Sequence, residues 1–246
     1  MARLRLHVIA CPSLQPELEM LAAESGNELT FRHLDMALHQ RSAVALHDAL
    51  QQAIDATGVA DAVVIAYGLC NRGVVGLKAR ALPLVIPRAY DCIGMLLGSG
   101  QRYREQLATQ PGTYFQSAGW LEHAQSDARQ PDFTFGPNSN VTRERLVERY
   151  GEENAEYLLA EFESFTKHYE RLAYIATPVP GAVHWQSEAE ALAAKQAWSF
   201  ERLEGDVGWL RRLLDGNWND GEFLIVRPGE RVALSNDESL LRAEPA

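Results

Sequence analysis

Residues 62–67, with the sequence AVVIAY, form an unbroken apolar run that is rich in β-branched side chains. A strand with one face in water alternates apolar and polar residues, whereas a strand covered on both faces is apolar throughout. Strands of the second kind are typical of parallel sheets that carry helices on both faces. This run therefore favours a protein built around a buried parallel sheet.

Similar apolar runs occur at residues 4–10 and 82–86, and helical patterns lie between the runs. Over residues 43–54, for example, apolar side chains recur at helical spacing. A chain that alternates strands and helices in this way builds an α/β domain. We predict a mostly parallel, doubly wound (Rossmann-like) sheet with helices on both faces.

The chain divides into four predicted parts. Residues 1–120 contain the alternation and form the α/β core with the candidate site. Residues 121–140 are mostly polar and contain two prolines, which indicates a loop or lid. Residues 141–234 carry further helix and strand patterns, which either extend the first domain or form a second lobe. Residues 235–246 are polar and are predicted to be a frayed tail.

The charge of the chain disfavours two classes of partner. Its formal net charge is −10, so it lacks the basic surface that binds nucleic acids and anionic membranes. No segment approaches the roughly 20 apolar residues of a membrane span, and the first apolar run is too short for a signal peptide. We predict a cytoplasmic protein that acts on a small molecule.

Each of the three cysteines, Cys11, Cys70 and Cys92, follows one of the apolar runs. In an open parallel sheet, ligands bind outside the carboxyl ends of the strands, so the three thiols are expected to meet at one site. The alternative is packing, because free cysteine is among the most buried residue types. Helix amino-termini or exposed amides near Cys70 and Cys92 are expected to lower the thiol pKa and favour the thiolate.

Three converging thiolates would bind a soft metal. They select zinc or an iron-sulfur cluster over magnesium or calcium. Three protein ligands and one open position are the arrangement of catalytic zinc, whereas three thiolates can also hold a [4Fe-4S] cluster with one open iron. Clusters usually have closely spaced cysteines, and this chain has no CxxC motif. We therefore prefer zinc slightly, and both remain open.

Polar residues beside the same strand ends are further candidates. Asp91 adjoins Cys92 and is either a proton-handling catalytic group or the cap of the following helix. Four residues are candidates for binding a polar ligand or cofactor, with loop structure as the alternative: Tyr67, Asn71, Arg88 and Ser99. Ser99 lies in a glycine-flanked segment that, with Arg102 and Arg104, is a candidate anion pocket.

Several blocks of the sequence resemble the bacterial and archaeal domain-of-unknown-function family 1638. These blocks are YGLCN at 67–71, PRAYDCIGMLLGS at 87–99, PGTYFQSAGW at 111–120 and YGEENAEYLL at 150–159, and the similarity extends to residues 216–229. Family members have cysteines after the first strand, in GLC and in DC, and Cys11, Cys70 and Cys92 are the counterparts. The resemblance therefore implies a shared thiolate site. Members are often encoded near corrinoid-dependent methyltransferases, which implies components of such systems as partners.

Three functional hypotheses follow. The first is an enzyme that binds a metal through the three cysteines and acts on a small polar substrate, for example in methyl or other group transfer. The second replaces zinc by an open-site iron-sulfur cluster in a lyase or reductase. The third is a non-enzymatic sensor or an accessory protein for corrinoid-dependent methyl transfer.

Overall fold

The computed structural model describes residues 3–40, 42–127 and 141–246, and within them the chain forms ten strands and nine α helices. The strands are β1 (Arg5–Ala10), β2 (Glu28–His33), β3 (Ala62–Ala66), β4 (Leu84–Pro87), β5 (Thr113–Gln116), β6 (Arg171–Ala176), β7 (Ser199–Glu204), β8 (Phe223–Val226), β9 (Glu230–Leu234) and β10 (Leu241–Pro245). The helices are α1 (Gln15–Ala22), α2 (Ala43–Asp55), α3 (Cys92–Leu96), α4 (Gly100–Thr109), α5 (Ala118–Asp127), α6 (Arg143–Tyr150), α7 (Glu152–Thr166), α8 (Ala182–Lys195) and α9 (Gly208–Asp215). Three short 3-10 helices span Pro12–Leu14, Met36–Gln40 and Cys70–Arg72.

The larger sheet has the strand order β2-β1-β3-β4-β8. Strands β1 to β4 are parallel to one another, and β8 runs antiparallel to β4 at the edge. Every residue of β3 is buried, as the unbroken apolar run predicts, whereas no residue of the edge strand β2 is fully buried. The prediction of an α/β fold with a mostly parallel central sheet is confirmed.

A second sheet has the order β5-β6-β7, and its three strands are all parallel. Residues after 140 therefore contribute to both sheets, because β6 and β7 join β5 while β8 returns to the larger sheet. Ala173 and Ile175 of β6 belong to the same hydrophobic core as β1, β3 and β4. One face of β6 thus packs into the core of the larger sheet, whereas Leu172 and Tyr174 belong to a separate cluster with α8.

The carboxyl ends of the two sheets face each other. Thr177, which follows β6, donates a hydrogen bond of 2.6 Å from its hydroxyl to Glu17 Oε1 on α1. Asp206, after β7, donates its main-chain N–H to the carbonyl of Leu96 on α3 at 2.8 Å. Since α1 follows β1 and α3 follows β4, these contacts join the carboxyl edges of both sheets.

Glu17 is fully buried, and burial is the main cause that raises the pKa of its carboxyl above the usual value. A raised native pKa means that the folded chain keeps a proton that the unfolded chain releases as the pH rises. The contribution of the Glu17 carboxyl to the free energy of unfolding is thus fully present below the unfolded-state pKa. This contribution is lost as the pH rises through the native pKa. The loss is about 1.4 kcal/mol for each pH unit crossed in that interval.

We therefore expect the neutral variant Glu17→Gln to gain stability relative to the wild type as the pH rises above about 4.5, the usual value for this carboxyl. Urea unfolding at a series of pH values measures the difference. Glu190→Gln removes an exposed carboxyl from α8 and is the matched control, with no such divergence expected. A constant difference between Glu17→Gln and the wild type across the pH range would contradict this account.

Helix α5 begins before the predicted loop and continues through Asp127, so the prediction of a loop or lid from residue 121 is wrong at its start. The reason is tertiary packing: Leu121 is buried, and Gly119 lies so close to the chain after β1 that a Cβ there would be 2.4 Å from Ser13 O. Residues 128–140, the rest of the predicted lid, lie outside the described residues.

The predicted frayed tail also differs from the structure. Residues 241–245 form β10, which pairs antiparallel with β9, and Leu241 is fully buried. Arg88 donates hydrogen bonds to the main-chain carbonyls of Ser239 and Leu241, which fixes the hairpin to the end of β4. A surface hairpin is held largely by main-chain pairing, so polar side chains do not reveal it.

Helix α7, with 15 residues, is the longest in the described part of the chain. A bilayer core takes about 20 apolar residues to cross as a helix. Within the described ranges, no helix has both the length and the apolar character that a membrane crossing requires.

Candidate functional site

The three cysteines lie at the carboxyl ends of three neighbouring parallel strands. Cys11 directly follows β1, Cys70 begins the 3-10 helix after β3, and Cys92 is the first residue of α3 after β4. The loops after β3 and β4 are joined, because the Cys70 N–H donates to the Tyr90 carbonyl at 2.9 Å. Gly68 permits this approach, since a Cβ there would lie 2.7 Å from the main-chain nitrogen of Asp91.

Shared contacts and mutual electrostatic effects place the three sulfur atoms in one neighbourhood. The Ser13 hydroxyl lies 3.0 Å from Cys11 Sγ, and as a neighbour of the Cys92 side chain it opposes the rise of the Cys92 pKa. Burial is the main cause that raises the pKa of the Tyr67 phenol, and electrostatic interactions with Cys11, Cys70 and Cys92 raise it further. Tyr67 is 0% exposed and donates from its hydroxyl to the Ala10 carbonyl at 3.3 Å.

All three thiols have raised pKa values. Burial is the main cause in each case. It raises the pKa of Cys11 to about 11, and it also raises the pKa values of Cys70 and Cys92, with help from the neighbouring thiols and Asp91. Main-chain amides of Gly68 and Cys92 oppose the rise at Cys70. The prediction that helix amino-termini or exposed amides lower the pKa of Cys70 and Cys92 is therefore wrong, because desolvation outweighs the amides.

The donor set has the chemistry of a soft-metal site but does not have its geometry. Among the described residues, no three or more histidine, cysteine, aspartate or glutamate side chains are arranged so that they could hold a metal ion. Cys11 instead contacts the Ser13 hydroxyl. A metal at this edge would require the thiol side chains to turn toward a common centre.

Three consecutive residues of the loop after β3 have left-handed backbone conformations. Cys70, Asn71 and Arg72 have φ angles of 34°, 52° and 64°. For residues with a Cβ this conformation costs roughly 1–2 kcal/mol each. Strain of this kind concentrates at binding and active sites, where the surrounding structure holds it. The strained turn presents Cys70 to the site and Asn71 to solvent.

Asp91 forms hydrogen bonds through both oxygens of its carboxyl group. Its Oδ1 accepts hydrogen bonds from the N–H groups of Ile93 and Gly94, so it caps α3. Its Oδ2 accepts a hydrogen bond of 2.8 Å from the Tyr103 hydroxyl. Burial raises the pKa of Asp91, and these hydrogen bonds oppose the rise.

Arg88 and Ser99, two of the predicted ligand-binding residues, form hydrogen bonds within the protein. Besides its bonds to the C-terminal hairpin, Arg88 donates to the Asp220 carbonyl. The Ser99 hydroxyl caps α4 by accepting from the Arg102 N–H. The Arg102 guanidinium in turn donates to the carbonyls of Leu97 and Glu204. Tyr67 and Asn71, by contrast, lie at the cysteine edge.

Two cavities open beside the cysteines. The larger, which we call the Cys70 cleft, has a volume of about 760 Å³ and is lined by Leu69, Cys70, Asn71, Arg72, Tyr90, Asp91, Tyr103, Arg104, Leu107 and Ala108. The smaller, the Cys92 cavity, has a volume of about 370 Å³ and is lined chiefly by Cys92, α4 and residues 113–117. Tyr103 and Leu107 line both, so Tyr103 and its partner Asp91 stand between them.

The sequence analysis missed Ser13, Tyr103 and Gln116 as site residues. Ser13 and Tyr103 have no signal in the sequence, because their partners are contacts made across the fold. Gln116 did have one: it ends a strand of the second parallel sheet, and the rule that located the cysteines applies to that sheet as well.

A family model described as "Protein of unknown function (DUF1638)" matches residues 33–214 of the chain. The chain belongs to the DUF1638 family. Cys70, Cys92 and both cavities lie within the residues that match DUF1638, whereas Cys11 and the block at 216–229 lie outside them. Searches of curated proteins and of solved structures found no match for this chain.

Proposed function

We propose that this DUF1638 protein binds a zinc ion through Cys11, Cys70 and Cys92 and acts on a small anionic molecule in the Cys70 cleft. The observation that supports the proposal is that three thiols follow the carboxyl ends of three neighbouring strands, where each of them acts electrostatically on the Tyr67 phenol. A bound cation deprotonates a coordinating thiol outright, so the raised pKa values of the three thiols do not oppose metal binding. Group transfer to or from the substrate is the reaction class we favour.

The proposed location follows from the topology. We propose that the larger sheet is doubly wound in the Rossmann-like sense, with its ligand crevice at the carboxyl ends of β1, β3 and β4. Its parallel strand order β2-β1-β3-β4 supports this, and so does the position of the Cys70 cleft beside the loops after β3 and β4. We propose the cytoplasm as the compartment, because the thiols would remain reduced there.

The charge of the Cys70 cleft supports an anionic substrate. Arg72 and Arg104 both line it, and within the described residues neither guanidinium forms an ion pair or a hydrogen bond with the protein. The chain as a whole is acidic, so two arginines with unused donors at one cleft are a local exception. Guanidinium groups bind carboxylates and phosphates in bidentate fashion.

Asp91 is the proposed proton-handling group at the inner end of this cleft. It lines the cleft and is hydrogen bonded to Tyr103, which connects the carboxyl to the wall of the Cys92 cavity. Carboxyls with a raised pKa in a cleft are suited to general acid–base work near neutral pH. The α3 cap keeps the Asp91 side chain in place.

Metal content tests the proposal directly. Protein purified without air and without chelators is expected to contain about one zinc per chain, as measured by elemental analysis. A brown protein with iron and acid-labile sulfide would instead support the open-site cluster, and reduced protein without any bound metal would contradict the proposal. Ligand binding without any turnover would favour an accessory or sensor role.

We expect Arg72→Gln and Arg104→Gln each to weaken oxyanion binding about tenfold, the loss of one charge-assisted contact. Calorimetric titration with phosphate and with succinate measures this and distinguishes phosphate from carboxylate recognition. Arg227→Gln is the matched control, because Arg227 follows β8 at the opposite edge of the sheet. Equal weakening in the control, or no binding of either anion to the wild type, would contradict the anionic substrate.

A further inference from the structure

The Cys92 cavity follows the open edge of strand β5. Five consecutive residues, 113–117, line it, whereas a cavity on the face of a sheet would be lined by alternate residues. Strand β5 pairs only with β6 in the described part of the chain, so its other edge has no strand beside it. The cavity therefore adjoins both the side chains and the open main-chain edge of this strand.

Gln116, the last residue of β5, is an unusual member of this lining. It is 2% exposed, and neither the oxygen nor the nitrogen of its side-chain amide has a hydrogen-bond partner of normal geometry in the described structure. The Tyr114 phenol lies beside the amide, and a contact between them of poor hydrogen-bond geometry opposes the burial that raises the pKa of Tyr114. Both a donor and an acceptor are thus buried next to the cavity.

A buried donor or acceptor without a partner costs about 1–3 kcal/mol. Leucine or methionine at this position would fill a similar volume without that cost. Buried polar groups that lack protein partners are explained by a ligand, a water molecule or a functional role. The position of Gln116 on a cavity that also reaches Cys92 points to a ligand.

The other walls of the cavity suit a flat ring. Aromatic side chains contribute much of the lining: Tyr103, Tyr114, Phe115, Trp120 and Tyr169. Aromatic rings stack on planar heterocycles with about 1–3 kcal/mol for each base-sized group. A volume of about 370 Å³ is at the small end of ligand pockets, which suits one ring system with a short substituent.

We propose that the Cys92 cavity binds a planar heterocycle with an adjacent hydrogen-bond donor and acceptor, such as a cyclic amide or the edge of a nucleobase. The Gln116 amide pairs with that edge, in the way that glutamine amides pair with adenine, and the aromatic walls cover the ring faces. The inference rests on the proposed small-molecule function of this edge of the sheet. It extends that function by assigning this edge of the sheet a subsite for a neutral ring, next to the proposed anion-binding cleft.

Titration with 2-pyridone and uracil tests the proposal, and toluene serves as a ring of similar shape without the polar edge. The wild type is expected to bind the two amides, and Gln116→Leu is expected to weaken them at least tenfold without changing toluene binding. Gln116→Met is a second variant, in case leucine disturbs the fold. Gln52→Leu, an exposed change on α2, is the control.

The outcomes separate this proposal from the metal proposal. Amide binding that is lost in Gln116→Leu but retained in metal-free Cys70→Ser supports the ring site, whatever the metal content. The ring site is overturned if the wild type binds zinc but neither amide. It is also overturned if the wild type and Gln116→Leu bind the two amides equally tightly. In the second case a water molecule satisfies the Gln116 amide.

Discussion

Serine in place of Cys70 or Cys92 is expected to lower the zinc affinity of the protein by more than a hundredfold. The thiolate is the form of cysteine that binds metal, and even the loss of a group that only orients a ligand costs 10–100-fold. Cys11→Ser is expected to have the same effect, although Cys11 lies outside the residues matched by the family model. Elemental analysis and competition with a zinc indicator measure the loss.

Two features of the chain make this experiment clean. The sequence has three cysteines, so no fourth thiol can replace the one removed. Ser187→Ala is the matched control, because it removes a hydroxyl from the exposed face of α8 and leaves the three thiols and Ser13 unchanged. Full zinc occupancy in all three cysteine variants would mean that the metal is bound elsewhere, and the thiolate site would then be wrong.

Gly68→Ala is expected to lower the free energy of unfolding by about 2–3 kcal/mol, at the upper part of the range for overpacking. A Cβ at this position would lie 2.7 Å from the Asp91 nitrogen and 2.8 Å from the Ala89 carbonyl oxygen. Both atoms belong to main chain, which cannot rotate away as a side chain can. The loops after β3 and β4 must therefore separate, and Cys70 and Cys92 separate with them.

Urea unfolding measures the loss of stability, and zinc content and anion binding are expected to fall in the same variant. Gly58→Ala is the matched control: nothing lies within 4 Å of a Cβ there, and its backbone angle does not require glycine. We expect that change to alter stability by less than about 0.5 kcal/mol. Equal stability of the two variants would show that the loops do not depend on the close approach at Gly68.

Strand β3, at the centre of the larger sheet, was predictable because its side chains are buried on both faces. The run at 62–67 has no polar residue, and β3 is buried along its whole length as a result. Strands β8 and β10 were harder, since β8 pairs with β4 from almost 140 residues away and β10 has an exposed, polar pattern. Local pattern carries no information about a partner so distant in the sequence.

The candidate site was predictable in part, because its cysteines follow strands that the sequence pattern predicts. The cysteines follow strands, and parallel strands bring their carboxyl ends to one edge. The same reasoning finds Gln116 and Thr177 at the ends of β5 and β6. It does not show that the second sheet faces the first, because that arrangement depends on contacts such as Thr177 with Glu17, 160 positions apart.

The sequence by itself determined that Cys11, Cys70 and Cys92 follow strands of a parallel sheet. The alternation of apolar runs and helices specifies that sheet, and the carboxyl ends of its strands form one edge. Only the tertiary structure decided that Ser13 and Tyr67 lie among the thiols, that Asp91 contacts Tyr103, and that Gln116 lacks a partner. It also decided that burial raises the pKa of each thiol. Protonation and hydrogen-bond satisfaction depend on how completely water is removed around a group, and that is a property of the packed fold.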